Sequence, residues 1–224
     1  MQAHPKQTLR TVPPAASETG GVAHARAACW SCKGPVGAAE PFCSACGAVQ
    51  PPGQVDHFTR LGLGAGFGID VNEVDRRYFD LQRRLHPDRF ATKTPRERVL
   101  SQQQATSLNE AYETLKDPLK RSDYLLKLHG MNVLAEGCNL VNDPELLMEA
   151  MERREALADA ETPSDVDAIV RETRADIDEC VAGLGAAFRD EDNETAGRLT
   201  TRLKYLQKLA DETRVRKLQL SKRG

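Results

Sequence analysis

Apolar residues recur every three or four positions along most of the chain after position 55, which is the period of an amphipathic helix. One such stripe consists of Val71, Val74, Tyr78, Leu81 and Leu85. A second consists of Leu108, Ala111, Tyr112 and Leu115. Shorter amphipathic stretches at 56–63 and 117–130 flank this pair. The pattern predicts two facing helices with a short helix on either side, together spanning residues 55–130.

Helix start signals support this division. Thr94 followed by Pro95 and Glu97 has the composition of a capping box with proline in the first turn. Asp70 and Glu73 form a similar pair before the first stripe, with Asp in place of Ser or Thr. We expect both pairs to cap their helices.

The same signals predict three further helices toward the C-terminus. One begins at Asp143-Pro144 and runs to about Asp159, and the last runs from about Asn193 to Leu220. The middle helix begins at Thr162-Pro163, and its stripe consists of Val166, Val170, Thr173, Ile177, Val181, Leu184 and Phe188. The inward positions of the last helix are Leu199, Leu203, Leu206 and Ala210. Short loops between long amphipathic helices imply antiparallel neighbours, so residues 141–220 are predicted to form a three-helix bundle in an all-α protein.

Composition narrows the functional classes. The net charge of −2 gives no overall attraction to nucleic acid or to a membrane, and no apolar run approaches the roughly 18 residues of a membrane span. Charge is nevertheless segregated: residues 143–194 hold 17 acidic and 5 basic residues, whereas residues 195–224 hold 9 basic and 2 acidic residues. Two interpretations stay open. The acidic helices pack beside a basic last helix, or they present an acidic face to a basic partner.

Four of the six cysteines form two C-x2-C pairs separated by ten residues: Cys29, Cys32, Cys43 and Cys46. This spacing is typical of a structural Zn²⁺ site with four sulfur ligands, with Gly34 and Gly47 expected in the tight turns after each pair. Free or disulfide-bonded cysteines and a rubredoxin-like iron site are the alternatives. Few basic residues accompany the segment, which disfavours a zinc-ribbon regulator of nucleic acid. A thiol oxidoreductase is disfavoured by the absence of a βαβ pattern. Cys138 and Cys180 have no partner nearby in sequence, and we interpret them as a loop residue and a helix-packing residue.

The first 26 residues contain Lys6, Arg10 and Arg26 against a single acid, Glu18. This balance is compatible with a mitochondrial presequence, although prolines and glycines weaken any amphipathic helix there. A disordered tail is the alternative interpretation.

The sequence His86-Pro87-Asp88 interrupts the arginine-rich end of the first long helix. Proline disfavours helical backbone in the residue before it, so the helix should end near His86 and leave polar side chains on a turn. The turn is either a simple helix stop or a docking element, since no nucleophile, second metal ligand or phosphate loop accompanies it. Four arginines precede it in two rows on the helix surface, Arg76 with Arg83 and Arg77 with Arg84. A solvated arginine face would be the simpler interpretation. A cationic helix beside a rigid polar turn favours docking to an acidic partner.

These features together resemble those of the HscB-type J-proteins, the co-chaperones of iron–sulfur cluster biogenesis. The resemblance rests on the HPD turn, on NEAYETLKDPLKRSDYLLKLHG after it, on CWSC…FCSACGAVQPP before it, and on ELLMEAMERREALADA and RLKYLQKL in the bundle. It covers residues 29–220 and is closest to the animal-like, mitochondrial form with a four-cysteine extension. It implies a tail at 1–26, a zinc module at 27–52, a J-domain at 55–130 and a client-binding bundle at 141–220.

The resemblance implies a non-enzyme. His86, Pro87, Asp88 and the four arginines would stimulate the ATPase of a DnaK-class chaperone, while the bundle would hold an IscU-type scaffold. Client positions carried over from the family are Leu147, Met151, Tyr205, Glu152, Glu155 and Asp159. Tyr205 lies off the inward stripe and is therefore expected to be exposed, whereas Leu147 and Met151 could instead be core residues.

The same resemblance implies a mitochondrial matrix location, with the cytoplasm as the alternative, and acceptor proteins that carry Leu-Tyr-Arg-like motifs. A homodimer stays open. A general J-protein for misfolded chains is the main competing function, and the compact acidic bundle argues against it.

Overall fold

The computed structural model of the protein describes residues 27–134 and 143–222. The tail at 1–26 and Cys138 lie outside the described residues. The helices are α1 (His57–Leu61), α2 (Val71–Leu85), α3 (Pro95–Lys116), α4 (Pro118–Leu128), α5 (Pro144–Asp159), α6 (Pro163–Arg189) and α7 (Asn193–Ser221), with a 3-10 turn at Pro87–Phe90. Two short strands, β1 (Ala27–Ala28) and β2 (Pro35–Val36), pair antiparallel in the cysteine segment. The predicted all-α fold with a small cysteine module before it is confirmed.

Side-chain caps set most helix starts where the sequence placed them. The Thr94 hydroxyl accepts a hydrogen bond from the amide of Glu97, whose carboxylate accepts one from the Thr94 amide. Thr162 and Asp165 make the same reciprocal pair at the start of α6. Each pair satisfies two amides that the first turn of a helix leaves unpaired.

The expected capping box at Asp70 and Glu73 is wrong in its second half. Asp70 does cap α2, because its carboxylate accepts a hydrogen bond of 2.9 Å from the Asn72 amide. Glu73 instead binds Arg76 and Arg77 on the next turn, since two guanidinium groups offer stronger, charge-assisted hydrogen bonds than one amide.

Helices α2 and α3 face each other as predicted and bury their apolar stripes. The buried members are Val74, Tyr78 and Leu85 on α2, with Leu108, Ala111 and Leu115 on α3. Helix α1 covers this pair with Phe58 and Leu61. The Ser101 hydroxyl donates to the Leu85 carbonyl oxygen over 2.7 Å, which satisfies a carbonyl at the end of α2.

Helices α5, α6 and α7 form the predicted bundle. Its core consists of Leu146, Leu157, Val166, Leu184, Leu203, Leu206 and Leu209. Val170 was expected inward but is exposed. The buried positions near it, Val166 and Thr173, are seven residues apart, and Val170 lies at the edge of the face they define.

The four-helix unit packs directly on the bundle, an arrangement that the sequence left open. Helix α4 contacts α7. The rings of Phe67 and Phe188 stack with centroids 5.4 Å apart, and His129 Nδ1 lies 2.8 Å from Asn193 Oδ1. Both contacts join the two units across the same cleft. No helix within the described ranges is both long and apolar enough to cross a membrane.

Candidate functional site

The HPD turn is displayed at the end of α2. Helix α2 ends at Leu85, and His86 has extended backbone with ψ 128°, as expected of a residue before proline. The Asp88 amide donates a hydrogen bond to His86 Nδ1 over 3.3 Å, and the Asp88 carboxylate lies 3.6 Å from the same nitrogen. The side chains of His86 and Asp88 are 50% and 89% exposed. The turn therefore presents its polar side chains to solvent, while Phe90 anchors it from the buried side.

The arginines of α2 do not form two freely solvated rows, because they contact neighbouring side chains. Arg76 and Arg77 both bind Glu73, whose pKa these hydrogen bonds lower. Arg83 pairs with Asp80. Arg77 is half-exposed, with 40% of its side chain accessible to solvent.

Arg84, by contrast, contacts the cysteine module. Its guanidinium carbon lies 5.0 Å from the centroid of the Phe42 ring. The structure thus brings three of the seven expected chaperone-binding residues, His86, Pro87 and Asp88, onto one exposed turn, with Arg83 and Arg84 in the helical turn immediately before it.

The four cysteine sulfurs converge to within 4.8 Å of one another. The sulfurs of Cys29 and Cys46 are 3.7 Å apart, and those of Cys32 and Cys43 are 3.6 Å apart. A tetrahedron with metal–sulfur bonds of about 2.3 Å has edges of about 3.8 Å. The arrangement therefore fits a tetrahedral four-sulfur metal site, with Cys29 and Cys43 buried and Cys32 and Cys46 exposed.

Local hydrogen bonds shape the site. The Ser31 amide and the Gln50 side-chain amide both donate to the Cys29 sulfur. Burial raises the pKa of the Cys29 thiol, but hydrogen bonds from the backbone of Cys32 and Ser31 outweigh this and bring the pKa to about 6. A thiolate at Cys29 is the form that a metal binds.

The turns after the two cysteine pairs are equivalent, although the sequence suggested the wrong residue in the first. Lys33 and Gly47 each directly follow the second cysteine of a pair and have φ of 64° and 71°. The expected glycine, Gly34, comes one position too late, and a β-carbon built on it would lie 3.4 Å from the Cys32 sulfur.

The expected apolar client residues lie on the exposed face of α5. Leu147 is 37% exposed and Met151 is 64% exposed, so the alternative that they are core residues is wrong. Met148, which sequence reasoning missed, is equally exposed beside them. Its spacing of three residues from Met151 was the available signal.

The expected acidic client residues are also at the surface. Glu152, Glu155 and Asp159 are exposed. Among the described residues none of the three has an ion pair, whereas acids on the inner sides of the bundle do: Glu149 and Asp176 both pair with Arg202 of α7. Packing of acidic helices beside a basic one therefore accounts for part of the segregated charge, and α5 retains an unpaired acidic edge.

Tyr205 contradicts its predicted exposure. The residue is 5% exposed, and its hydroxyl donates a hydrogen bond of 2.6 Å to the Ala150 carbonyl oxygen. The inward face of α7 is wider than the stripe read from the sequence, because both α5 and α6 pack on this helix. Tyr205 thus fixes α5 on α7 from inside and does not reach the surface as an anchor.

Cys180 behaves as expected of a packing residue. Its thiol is buried, donates to the Leu199 carbonyl oxygen over 3.2 Å, and has a pKa raised to about 11 by burial.

In comparisons with known proteins, two family models match the two helical units of the chain. A model described as the DnaJ domain matches residues 56–124, and one described as the HSCB C-terminal oligomerisation domain matches residues 142–214. The iron–sulfur cluster co-chaperone protein HscB of Mus musculus is 36% identical over 196 residues, which are 86% of this chain and 83% of the mouse protein. The co-chaperone protein HscB homolog of Cupriavidus taiwanensis is 42% identical over 161 residues, 70% of this chain and 91% of that protein.

A solved structure agrees in shape as well as in sequence. The crystal structure of human co-chaperone protein HscB superposes with a TM-score of 0.79 at 33% identity and covers 86% of this chain and 99% of the human chain.

Proposed function

The chain belongs to the HscB family of iron–sulfur cluster co-chaperones, and we propose that its HPD turn stimulates ATP hydrolysis by a DnaK-class chaperone. The observation that carries this proposal is the exposed turn at His86-Pro87-Asp88, held by the hydrogen bond from the Asp88 amide to His86 Nδ1. A preformed turn loses little conformational freedom on binding, so a partner can bind its polar groups at low entropic cost. Family membership also makes the protein a co-chaperone and not an enzyme.

The cationic end of α2 supports an acidic docking partner. Arg83 and Arg84 precede the turn, and the side chain of Arg76, one further turn back, remains 65% exposed although it pairs with Glu73. Charges of this kind speed association with a surface of opposite sign more than they add to affinity. Arg77, whose side chain is 40% exposed and also binds Glu73, belongs to the same cationic docking face in this proposal.

The client in this proposal is an IscU-type scaffold bound on α5. Leu147 and Met151 give an apolar contact, and Glu152, Glu155 and Asp159 give an acidic edge along the same helix. An apolar centre with a charged rim is the usual anatomy of a protein interface. Tyr205 contributes by holding α5 in place through its bond to Ala150.

The contacts between the two helical units support coordinated action. The stacked rings of Phe67 and Phe188 and the contact of His129 with Asn193 hold the unit proposed as J-domain (55–130) against the bundle (141–220). A scaffold on α5 and a chaperone at the HPD turn would then meet in a fixed relative orientation. Client delivery and ATP hydrolysis would coincide, and the cluster would pass to acceptor proteins, for which we retain Leu-Tyr-Arg-like motifs as the proposed signal.

For the module at 27–52 we propose Zn²⁺ as the bound metal. Cys29, Cys32, Cys43 and Cys46 would hold it, and the ion would cross-link the two turns of a segment too small to have much core of its own. The sulfur–sulfur distances of 3.6 and 3.7 Å support a tetrahedral four-sulfur site, which is the usual geometry of structural Zn²⁺.

We propose the mitochondrial matrix as the location, on the basis of three basic residues against one acid within 1–26. Imaging of the full chain fused at its C-terminus to a fluorescent protein distinguishes the matrix from the cytoplasm.

The decisive experiment for this function measures single-turnover ATP hydrolysis by a purified DnaK-class chaperone with the full chain added. His86→Gln should abolish stimulation while the circular dichroism spectrum stays unchanged. Lys120→Gln, at an exposed cation on α4 away from the turn, is the control and should stimulate fully. Stimulation by His86→Gln equal to that of the wild type would refute the proposal.

A further inference from the structure

A groove of about 740 Å³ runs between the cysteine module and the residues on either side of the HPD turn. Phe42 and Ser44 form its wall on the module side. Arg84, Arg89 and Lys93 line the opposite side. Neither unit alone makes the groove, because each supplies one wall.

The groove carries unpaired positive charge. Among the residues that the structure describes, neither Arg89 nor Lys93 has an ion pair, and both are exposed. Two carboxylates, Glu40 and Glu97, also line the groove, and each accepts a hydrogen bond from a backbone amide and keeps its negative charge. The three cations of the lining outnumber these two carboxylates. The groove is therefore suited to an acidic ligand.

The lining is apolar as well as basic. Pro41 and Phe42 are half-buried and offer apolar surface to the groove. Phe42 packs on the core cluster that contains the buried Val49 and Phe90, which form the floor. A small inorganic anion would leave these side chains unused. A peptide segment with an acidic side chain beside an apolar one would engage both kinds of group.

The position of the groove identifies the protein that brings such a segment. Arg89 and Phe90 belong to the same 3-10 turn as Pro87 and Asp88, so any partner docked on the HPD turn lies at the groove. We propose that the groove binds an acidic segment of the DnaK-class chaperone, and that the cysteine module thereby forms one wall of the chaperone-docking surface. This inference rests on the proposed function and assigns to the module a part in partner binding.

The test is the dissociation constant between the full-length zinc-loaded protein and the ATP-bound chaperone, measured by biolayer interferometry. The groove variant is Arg89→Glu with Lys93→Glu. Its control is Lys120→Glu with Lys204→Glu, which reverses two exposed charges outside the groove and gives the same net charge. On the module side, Ser44→Glu places an acid in the wall, and Ser44→Gln is its uncharged control of similar size. Zinc content and circular dichroism are checked for every variant.

We expect the groove variant to weaken binding by about tenfold, because two surface attractions become repulsions. Ser44→Glu should weaken binding severalfold more than Ser44→Gln, and the Lys120/Lys204 control should stay within about twofold of wild type. Equal weakening by both charge-reversal pairs would reduce the effect to long-range electrostatics and overturn the inference. Weakening by the Arg89/Lys93 variant without any effect of Ser44→Glu would remove the module from the surface and overturn it too.

The outcomes separate this inference from the function on which it rests. If His86→Gln abolishes ATPase stimulation while all groove variants bind normally, the proposed function stands and the groove inference fails. If the groove variant changes the sedimentation mass of the protein alone, the occupant is a second copy of this chain and the inference also fails.

Discussion

The guanidinium carbon of Arg84 lies 5.0 Å from the centroid of the Phe42 ring, which ties the last turn of α2 to the cysteine module. Arg96 on α3 makes a second contact of this kind, 4.5 Å from the ring of Trp30. The buried side-chain amide of Gln104 donates to the Gln50 carbonyl oxygen over 2.9 Å. Each cation–π contact at the surface contributes about 0.5–1 kcal/mol. The two cation–π contacts and the hydrogen bond together hold the module against α2 and α3.

This docking makes Trp30, the only tryptophan in the chain, a reporter of the metal site. Its indole N–H donates to the Val49 carbonyl oxygen over 2.7 Å, which links the first cysteine pair to the segment after the second pair. Removal of the metal by a chelator, or Cys32→Ser, should expose the indole and shift its emission to the red. Helix content should hardly change, since the helices lie outside the module.

The control for metal loss is Cys180→Ser, which changes a buried cysteine on α6 that is not part of the four-sulfur site. It should keep one metal ion per chain and the wild-type emission. An unchanged Trp30 emission after complete metal removal would show that the module does not need the ion for its structure.

Tyr205 should matter for stability and not as a direct contact. Tyr205→Ala removes a large buried side chain and should lower the free energy of unfolding by about 3–5 kcal/mol. Tyr205→Phe loses only the hydrogen bond to Ala150 and should cost about 0.5–1.5 kcal/mol. Urea unfolding measures both values. A loss below about 1 kcal/mol for Tyr205→Ala would mean that the side chain is not packed as the structure shows it.

The helix caps of the bundle predict that the free energy of unfolding falls at acid pH. The Asp192 carboxylate accepts a hydrogen bond of 3.0 Å from the Thr195 amide, and bonds from Thr195 lower the pKa of this group. A carboxylate whose pKa is lowered by folding stabilises the fold above its unfolded pKa of about 3.9, and this contribution is lost as pH falls through the folded pKa.

Asp192→Asn isolates this effect, because asparagine caps a helix about as well as aspartate but does not titrate. The variant should resemble wild type near neutral pH and lose less of its free energy of unfolding between about pH 5 and about pH 2. Denaturant titrations at several pH values test the difference. Identical pH dependence of the two proteins would show that Asp192 contributes nothing to acid unfolding.

Local chemistry made most of the helix boundaries predictable. Thr94, Thr162 and Pro144 begin helices in the structure at the positions where capping rules placed them, because a cap depends on neighbours within one turn. The capping rule failed for Glu73, because its carboxylate binds two arginines in preference to the backbone amide of the N-cap residue.

Contacts between distant segments were not predictable from one sequence. The stripe on α7 omitted Tyr205, because its burial depends on the position of α5. The stacking of Phe67 on Phe188 and the docking of the cysteine module likewise join residues far apart in the chain, and no local pattern encodes them. For the same reason, the sequence did not decide whether Leu147 and Met151 lie in the core or at the surface.

The measurement that tests the central claim most directly is calorimetric titration of an IscU-type scaffold into the full-length protein. Wild type should bind with a dissociation constant in the micromolar range, and Leu147→Ala with Met151→Ala should bind at least about tenfold more weakly. Because both side chains are exposed, the double variant should keep the melting temperature of wild type within a few degrees. Val215→Ala with Leu218→Ala, an exposed apolar pair on α7, is the matched control and should bind as wild type does. No binding by folded, metal-loaded wild type, or full binding by the Leu147/Met151 variant, would contradict the account.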